Sequence, residues 1–201
     1  MSAHTEEEQD ILREIGNIGG GHALTSLSMM LGEPLTLSVP VCRVINRKDV
    51  GSLLDNPDAL YAGVATTISG TMECTLTLLL NKEFTKLVID ALGEGSSELK
   101  IESLTEMQRS ALCEVGNIMG NSYITAVSEL LDLKVETSVP SMVVGTGSEV
   151  LQTFIDRQPT HGDNMLFVNS SFRTDELCLD SYMLLGPAEK TLANILERIS
   201  F

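Results

Sequence analysis

Tryptophan is absent from these 201 residues, and there are only five phenylalanines and three tyrosines. A core must therefore be assembled from Leu, Ile, Val, Met and Ala, for which a hydrophobic fraction of 43% suffices. Basic residues are also scarce: 13 Lys and Arg face 28 Asp and Glu, for a net charge of −15. Such a chain repels phosphate backbones and anionic bilayers, which argues against nucleic acid as a partner. Too few aromatic rings are present to stack on bases. No apolar run approaches the ~18 residues of a membrane span. The polar, acidic start MSAHTEEEQD is no signal peptide. No membrane insertion and a cytoplasmic location are expected. Four cysteines (Cys42, Cys74, Cys113, Cys178) lack any Cys-x-x-Cys spacing and read as reduced core residues. His4, His22 and His161 are not spaced with Cys or acids as metal ligands would be, and His22 reads as a packing or surface residue. No Ser or Cys occupies a recognisable nucleophile motif.

What the chain does contain is a repeat. EIGNIGGGHA (14–23) returns as EVGNIMGNSY (114–123), and residues 5–40 lie over 105–140 without a gap. Thr5 and Glu6, Leu12, Glu14, Gly16 to Ile18, Gly20, Thr25, Ser28, Leu31 and the SVP at 38–40 all recur one hundred residues later. Gene duplication accounts for the similarity, and packing accounts for part of it. Thr5 to Glu8 and Thr105 to Gln108 each offer a capping box. Ile11, Ile15, Ile18, Leu27, Met30 and Leu31 form an apolar stripe at helical spacing, as do Ala111, Val115, Ile118, Ile124, Val127 and Leu131.

A second stripe is polar. Asp10, Glu14, Asn17, Gly21 and Ser28 share one face, and Ser110, Glu114, Asn117, Asn121 and Ser128 repeat it. Residues three apart are helical neighbours, so each Glu sits beside its Asn. Asn is a poor choice inside an exposed helix. Spacing alone leaves three readings open: a functional pair, retained ancestry, or a surface hydrogen bond. Gly16 and Gly116 allow another backbone to come close, from the same chain or a partner. The run Gly19 to Gly21 is costly in a helix, by about 1 kcal/mol per residue, and predicts that the first helix bends or loosens there. It is no phosphate-binding loop, because no strand precedes it and no Lys-Ser/Thr follows.

After each long helix the period changes to two. Residues 35–45 and 134–144 predict strands, each with a proline suited to an edge or a bulge. Residues 60–69 and 71–80 predict a hairpin around Gly70, and 164–172 with 177–185 a second, turning at residues 173–176. A short helix follows each hairpin, one from Asn81 to Gly93 and one with Pro187 in its first turn. Residues 93–100 read as the link, and 148–159 as a small helix present mainly in the second half. Neither half covers a three-stranded sheet alone. The expectation is an α+β fold: one domain over 1–201 made of two intertwined repeats, 1–100 and 101–201. Each repeat is α-β-β-β-α, and the two share one mostly antiparallel sheet about a pseudo-twofold, with the long helices side by side on one face.

The pattern Asp/Ser-x-x-x-Glu-x-x-Asn, then twenty-two residues, then Pro, reads Asp10, Glu14, Asn17, Pro40 and again Ser110, Glu114, Asn117, Pro140. It resembles the signature of the CheC/CheX/FliY phosphatases of bacterial chemotaxis, over the whole chain. Two copies without an appended domain look like the CheC branch. The resemblance implies hydrolysis of the aspartyl phosphate of the response regulator CheY. Asn17 and Asn117 would position a water, Glu14 and Glu114 would anchor the regulator, and Asp10 and Ser110 would support them. Pro40 and Pro140 would shape the strand behind the helix. No cofactor of its own is implied, since Mg²⁺ belongs to the regulator. The receptor deamidase CheD is implied as a second partner, with 148–158 a candidate surface. The alternative is a non-catalytic adaptor for phosphorylated CheY or CheD, or a structural relative of the flagellar switch. Family members often read Gly-Ala-Gly-Asn-Ala where this chain has Gly19-Gly-Gly-His22-Ala, so a softened first helix would favour the second site.

Overall fold

The computed structural model describes residues 6–93, 95, 99–130, 132–157, 163–174 and 178–186. The chain runs α1 (Glu6–Leu31), β1 (Thr36–Leu37), β2 (Val41–Asn46), a 3₁₀ helix (Arg47–Leu53), β3 (Leu60–Gly70), β4 (Cys74–Leu80) and α2 (Lys82–Ala91). After a 3₁₀ turn (Ile101–Ser103) it continues with α3 (Glu106–Leu130), β5 (Val135–Thr137), β6 (Ser141–Thr146), α4 (Gly147–Asp156), β7 (Asn164–Arg173) and β8 (Cys178–Leu185). The helix expected from Pro187 lies outside the described residues, as do parts of the 93–100 link and of the second hairpin's turn.

Local chemistry explains the ends. Thr105 Oγ1 accepts from the Gln108 N–H at 3.2 Å, and the Gln108 side chain accepts from the Thr105 N–H at 3.0 Å, the expected capping box. Its first-half counterpart at Thr5 lies outside the described residues. Both long helices stop at a left-handed residue, Gly32 at φ +68° and Asp132 at φ +50°. Asn46 caps the 3₁₀ helix and Thr146 caps α4, at equivalent places in the two copies. The small helix is thus not confined to the second half. In the first half Gly51 and Ser52 shorten it to a 3₁₀ helix, while 147–156 carry Val150, Leu151 and Phe154 as a buried stripe.

The sheet runs β1–β7–β8–β4–β3–β5, with β2 continuing β1 against β7 and β6 continuing β5 against β3, every pairing antiparallel. Each half lends its edge strand to the other half's hairpin. The hairpins meet at the centre, where Leu78 lies opposite Met183. This is the expected joined sheet.

Each edge strand is interrupted at its Ser-Val-Pro, as the proline suited to an edge or a bulge leads one to expect. The register moves by one residue between Leu37↔Phe172 and Val41↔Asn169, and again between Ile68↔Thr137 and Ala65↔Ser141. Three residues face two, which is a β-bulge. Ser38 and Ser138 still donate from N–H to the carbonyls of Ser171 and Thr67, both at 2.9 Å. Proline, without an N–H, follows where the ladder is already interrupted.

Alternation along the strands sorts side chains between two layers. Leu76, Leu78, Val168 and Met183 face α1, α2 and α3; Tyr61, Leu79, Phe167 and Tyr182 face α4 and the 3₁₀ helix. The buried arc of the long helices differs from the expected stripe. Ile18, Met30, Ala111 and Ile118 are only partly buried, while Ala23, Leu112, Met119 and Tyr123 are fully covered. Each helix packs on the sheet and on its neighbour at once, which rotates the covered arc. Leu131 lies outside the described residues.

Tyr123 joins the layers. Its ring lies on Gly19 of α1, and its hydroxyl is 2.7 Å from Ser170 Oγ of β7, fully buried. Burial pushes the phenol pKa well above its ordinary value, so the group stays neutral. Tyr123→Phe keeps the ring and strands the Ser170 hydroxyl. We expect a loss of about 1–2 kcal/mol, measured by urea unfolding.

Candidate active site on the helix pair

The glycines set the height of the helices. A Cβ on Gly16 would stand 2.8 Å from Cys42 Sγ and 3.1 Å from Pro40 Cβ, and one on Gly116 would stand 2.5 Å from Val64 Cγ1. These close contacts belong to the chain's own strands. A Cβ on Gly19 would meet Tyr123 Cδ1 at 2.4 Å, and one on Gly20 would meet Leu37 Cδ2 at 2.7 Å. The run does not loosen α1, which is continuous from Glu6 to Leu31. The expected softening is therefore corrected: two of the three glycines are seats for side chains, and the packing gained there offsets their low helix propensity.

Held this way, each helix turns its polar stripe outward. Asp10, Glu14 and Asn17 are exposed, as are Ser110 and Glu114, while Asn117 is half-buried. The Arg13 guanidinium sits 3.1 Å from Asp10, an exposed pair worth little to stability. Asn121 Nδ2 donates to Asn117 Oδ1 at 2.9 Å. Asn17 has no such neighbour, because the equivalent residue is Gly21. Pro40 is buried against Gly16, one residue before Asn17; Pro140 is half-buried, and Val64 takes its place against Gly116.

The sequence predicts a packing or surface place for His22. It is exposed, and with Thr25 and Ser26 of α1 it forms one wall of an open groove of about 530 Å³. Asn117, Asn121 and Ser122 of α3 form the other wall. Nothing in the spacing within one helix signals that residues from the other copy stand beside Asn117.

The remaining reactive groups are quiet. Burial pushes the Cys42 thiol up to about 12 and the Cys74 thiol likewise to about 12, so neither is a thiolate near neutrality. Cys113 is also a free thiol, and the Cys178 side chain lies outside what is described. Among the described residues no cluster of three or more His, Cys, Asp or Glu could hold a metal ion, and no helix is long and apolar enough to cross a membrane. A carboxylate and a carboxamide one turn apart can anchor a cation and orient a water.

The model of the CheC-like family matches residues 7–42 and 107–144, which is each long helix with its following bulge. Over those two stretches the chain is similar to the CheC-like family. It is 27% identical over 190 residues to the CheY-P phosphatase CheC of Bacillus subtilis, covering 90% of this chain and 88% of that protein. It is 28% identical over 185 residues to the flagellar motor switch phosphatase FliY of Bacillus subtilis, covering 91% of this chain and 47% of FliY. Its CheC-like fold matches the crystal structure of Thermotoga maritima FliY with a TM-score of 0.76 and 27% identity, over 100% of this chain and 98% of that one. The resemblance read from the repeat agrees with all three of these likenesses.

Proposed function

We propose that this CheC-like chain hydrolyses the aspartyl phosphate of a CheY-type response regulator. The observation that carries the reading is the duplicated Glu–Asn pair, turned outward on both helices of the pair. An acyl phosphate is already activated, and the regulator supplies Mg²⁺ and a Lys. No cofactor of the chain's own is needed. What remains is to place a water in line with phosphorus, as a Gln does in some GTPases. The carboxamides of Asn17 and Asn117 do this, and Glu14 and Glu114 pair with the regulator's Lys. The water oxygen bonds to phosphorus, the bond from phosphorus to the Asp oxygen breaks, and the products are the free carboxylate and inorganic phosphate. Asp10 and Ser110 support docking one turn away. The partner places the protein in the cytoplasm.

Release of phosphate from Mg²⁺-loaded, phosphorylated CheY, with and without the protein, tests this reading. Faster release supports it; complex formation with an unchanged rate would make the protein an adaptor. CheD is proposed as a second partner on family resemblance. The outer face of α4, with exposed Ser148, Glu149, Gln152 and Asp156, is its candidate surface. That helix covers the sheet face opposite the Glu–Asn pairs, so both partners can bind together.

Met107 is 63% exposed, one turn before Ser110 on the same stripe. Its first-half counterpart is Glu7. An exposed, adaptable side chain there suits a protein partner. In an Asn17→Ala background, Met107→Ser is expected to raise KM for phosphorylated CheY by about threefold, corresponding to ~0.7 kcal/mol, with kcat unchanged.

A further inference from the structure

The two sites are not equivalent, and the difference lies one turn beyond the Asn. At the second site Asn121 Nδ2 donates to Asn117 Oδ1 at 2.9 Å, and both residues are half-buried. At the first site the equivalent residue is Gly21, where an added Cβ would meet nothing within 4 Å. Gly19 and Gly20 are required by packing; Gly21 is not.

We infer that Asn121 is a positioning residue of the second site, holding the Asn117 carboxamide in the orientation hydrolysis needs, and that the first site works without this hold. The inference rests on the phosphatase reading above. A carboxamide has an accepting end and a donating end, and half a turn of its last torsion exchanges them. With Asn121 Nδ2 as the donor on Oδ1, the two ends are assigned. One lone pair of Oδ1 remains to accept a proton of the attacking water, and both Nδ2 hydrogens remain for a phosphoryl oxygen. Among the described residues Asn117 makes no other side-chain hydrogen bond, so these groups stay available. Asn17 is exposed with no side-chain partner among the described residues, and must select its orientation at each encounter. Orientation before binding lowers the cost of reaching an in-line geometry and acts on turnover.

The test uses the full chain and Mg²⁺-loaded, phosphorylated CheY, with kcat and KM measured separately. In an Asn17→Ala background, Asn121→Ala is expected to lower kcat by about fivefold, with KM within about twofold. Asn121→Asp, of the same shape but unable to donate when ionised, is expected to lose at least as much. In an Asn117→Ala background, Gly21→Asn is expected to raise kcat of the first site by about threefold. A purely structural role for Asn121 predicts near-normal turnover from the isosteric Asp variant and no gain from Gly21→Asn. Unchanged kcat in Asn121→Ala, or a rise in KM alone, overturns the inference. If the parent chain itself leaves phosphate release at the regulator's own rate, the phosphatase reading fails, and the inference falls with it.

Discussion

A protein carrying both Asn17→Ala and Asn117→Ala is expected to bind phosphorylated CheY as the parent does and to release phosphate no faster than the regulator alone. The expected loss is about a hundredfold in kcat, or ~2.7 kcal/mol of transition-state stabilisation. Positioning of one water can supply that much. The structure makes this a clean experiment. Asn17 is exposed and Asn117 half-buried, neither belongs to the core, and alanine is the better helix former. Unfolding by urea should therefore shift by no more than about 1 kcal/mol. Each single variant should retain activity through the other site, with Asn117→Ala the more impaired. Full acceleration by the double variant would mean that the carboxamides are bystanders.

Gly19→Ala should damage the fold itself. Its methyl would stand 2.4 Å from Tyr123 Cδ1, with Tyr123 Cγ at 2.8 Å. The ring has no room to yield, because it is fully covered and its hydroxyl is tied to Ser170. The helices must move apart or the ring must leave its seat. Overpacking of this kind costs about 2 kcal/mol, even after the better helix propensity of alanine, and should lower Tm by about 4–8 °C. Gly21→Ala is the control: with open space around it, the same methyl should stabilise by up to about 1 kcal/mol. Equal effects at the two positions would mean that the glycine run serves helix flexibility and not helix contact.

Met107 and Asn121 then divide the second site between docking and turnover, and the separation of KM from kcat in their variants reads that division directly. Neither residue has its like in the first copy, where Glu7 and Gly21 stand instead. The duplication preserved the Glu–Asn pair and let its surroundings diverge.

Periodicity determined which residues of α1 and α3 face outward, because a helix's side chains repeat their direction every turn whatever lies beneath. Glu14, Asn17 and Glu114 are exposed for that reason, and the hundred-residue offset was legible as matched helices, bulges and hairpins. The left-handed stops at Gly32 and Asp132 obey the same offset. Contacts between distant segments leave no such period. The seat of Tyr123 on Gly19, the rotation of Ile18 and Ile118 out of the core, and the place of His22 beside Asn117 all depend on how two helices lie against each other and on the sheet. The glycine run shows the difference best. Local propensity says that three glycines weaken a helix, and only the packed structure shows two of them filled by neighbours and the third left open.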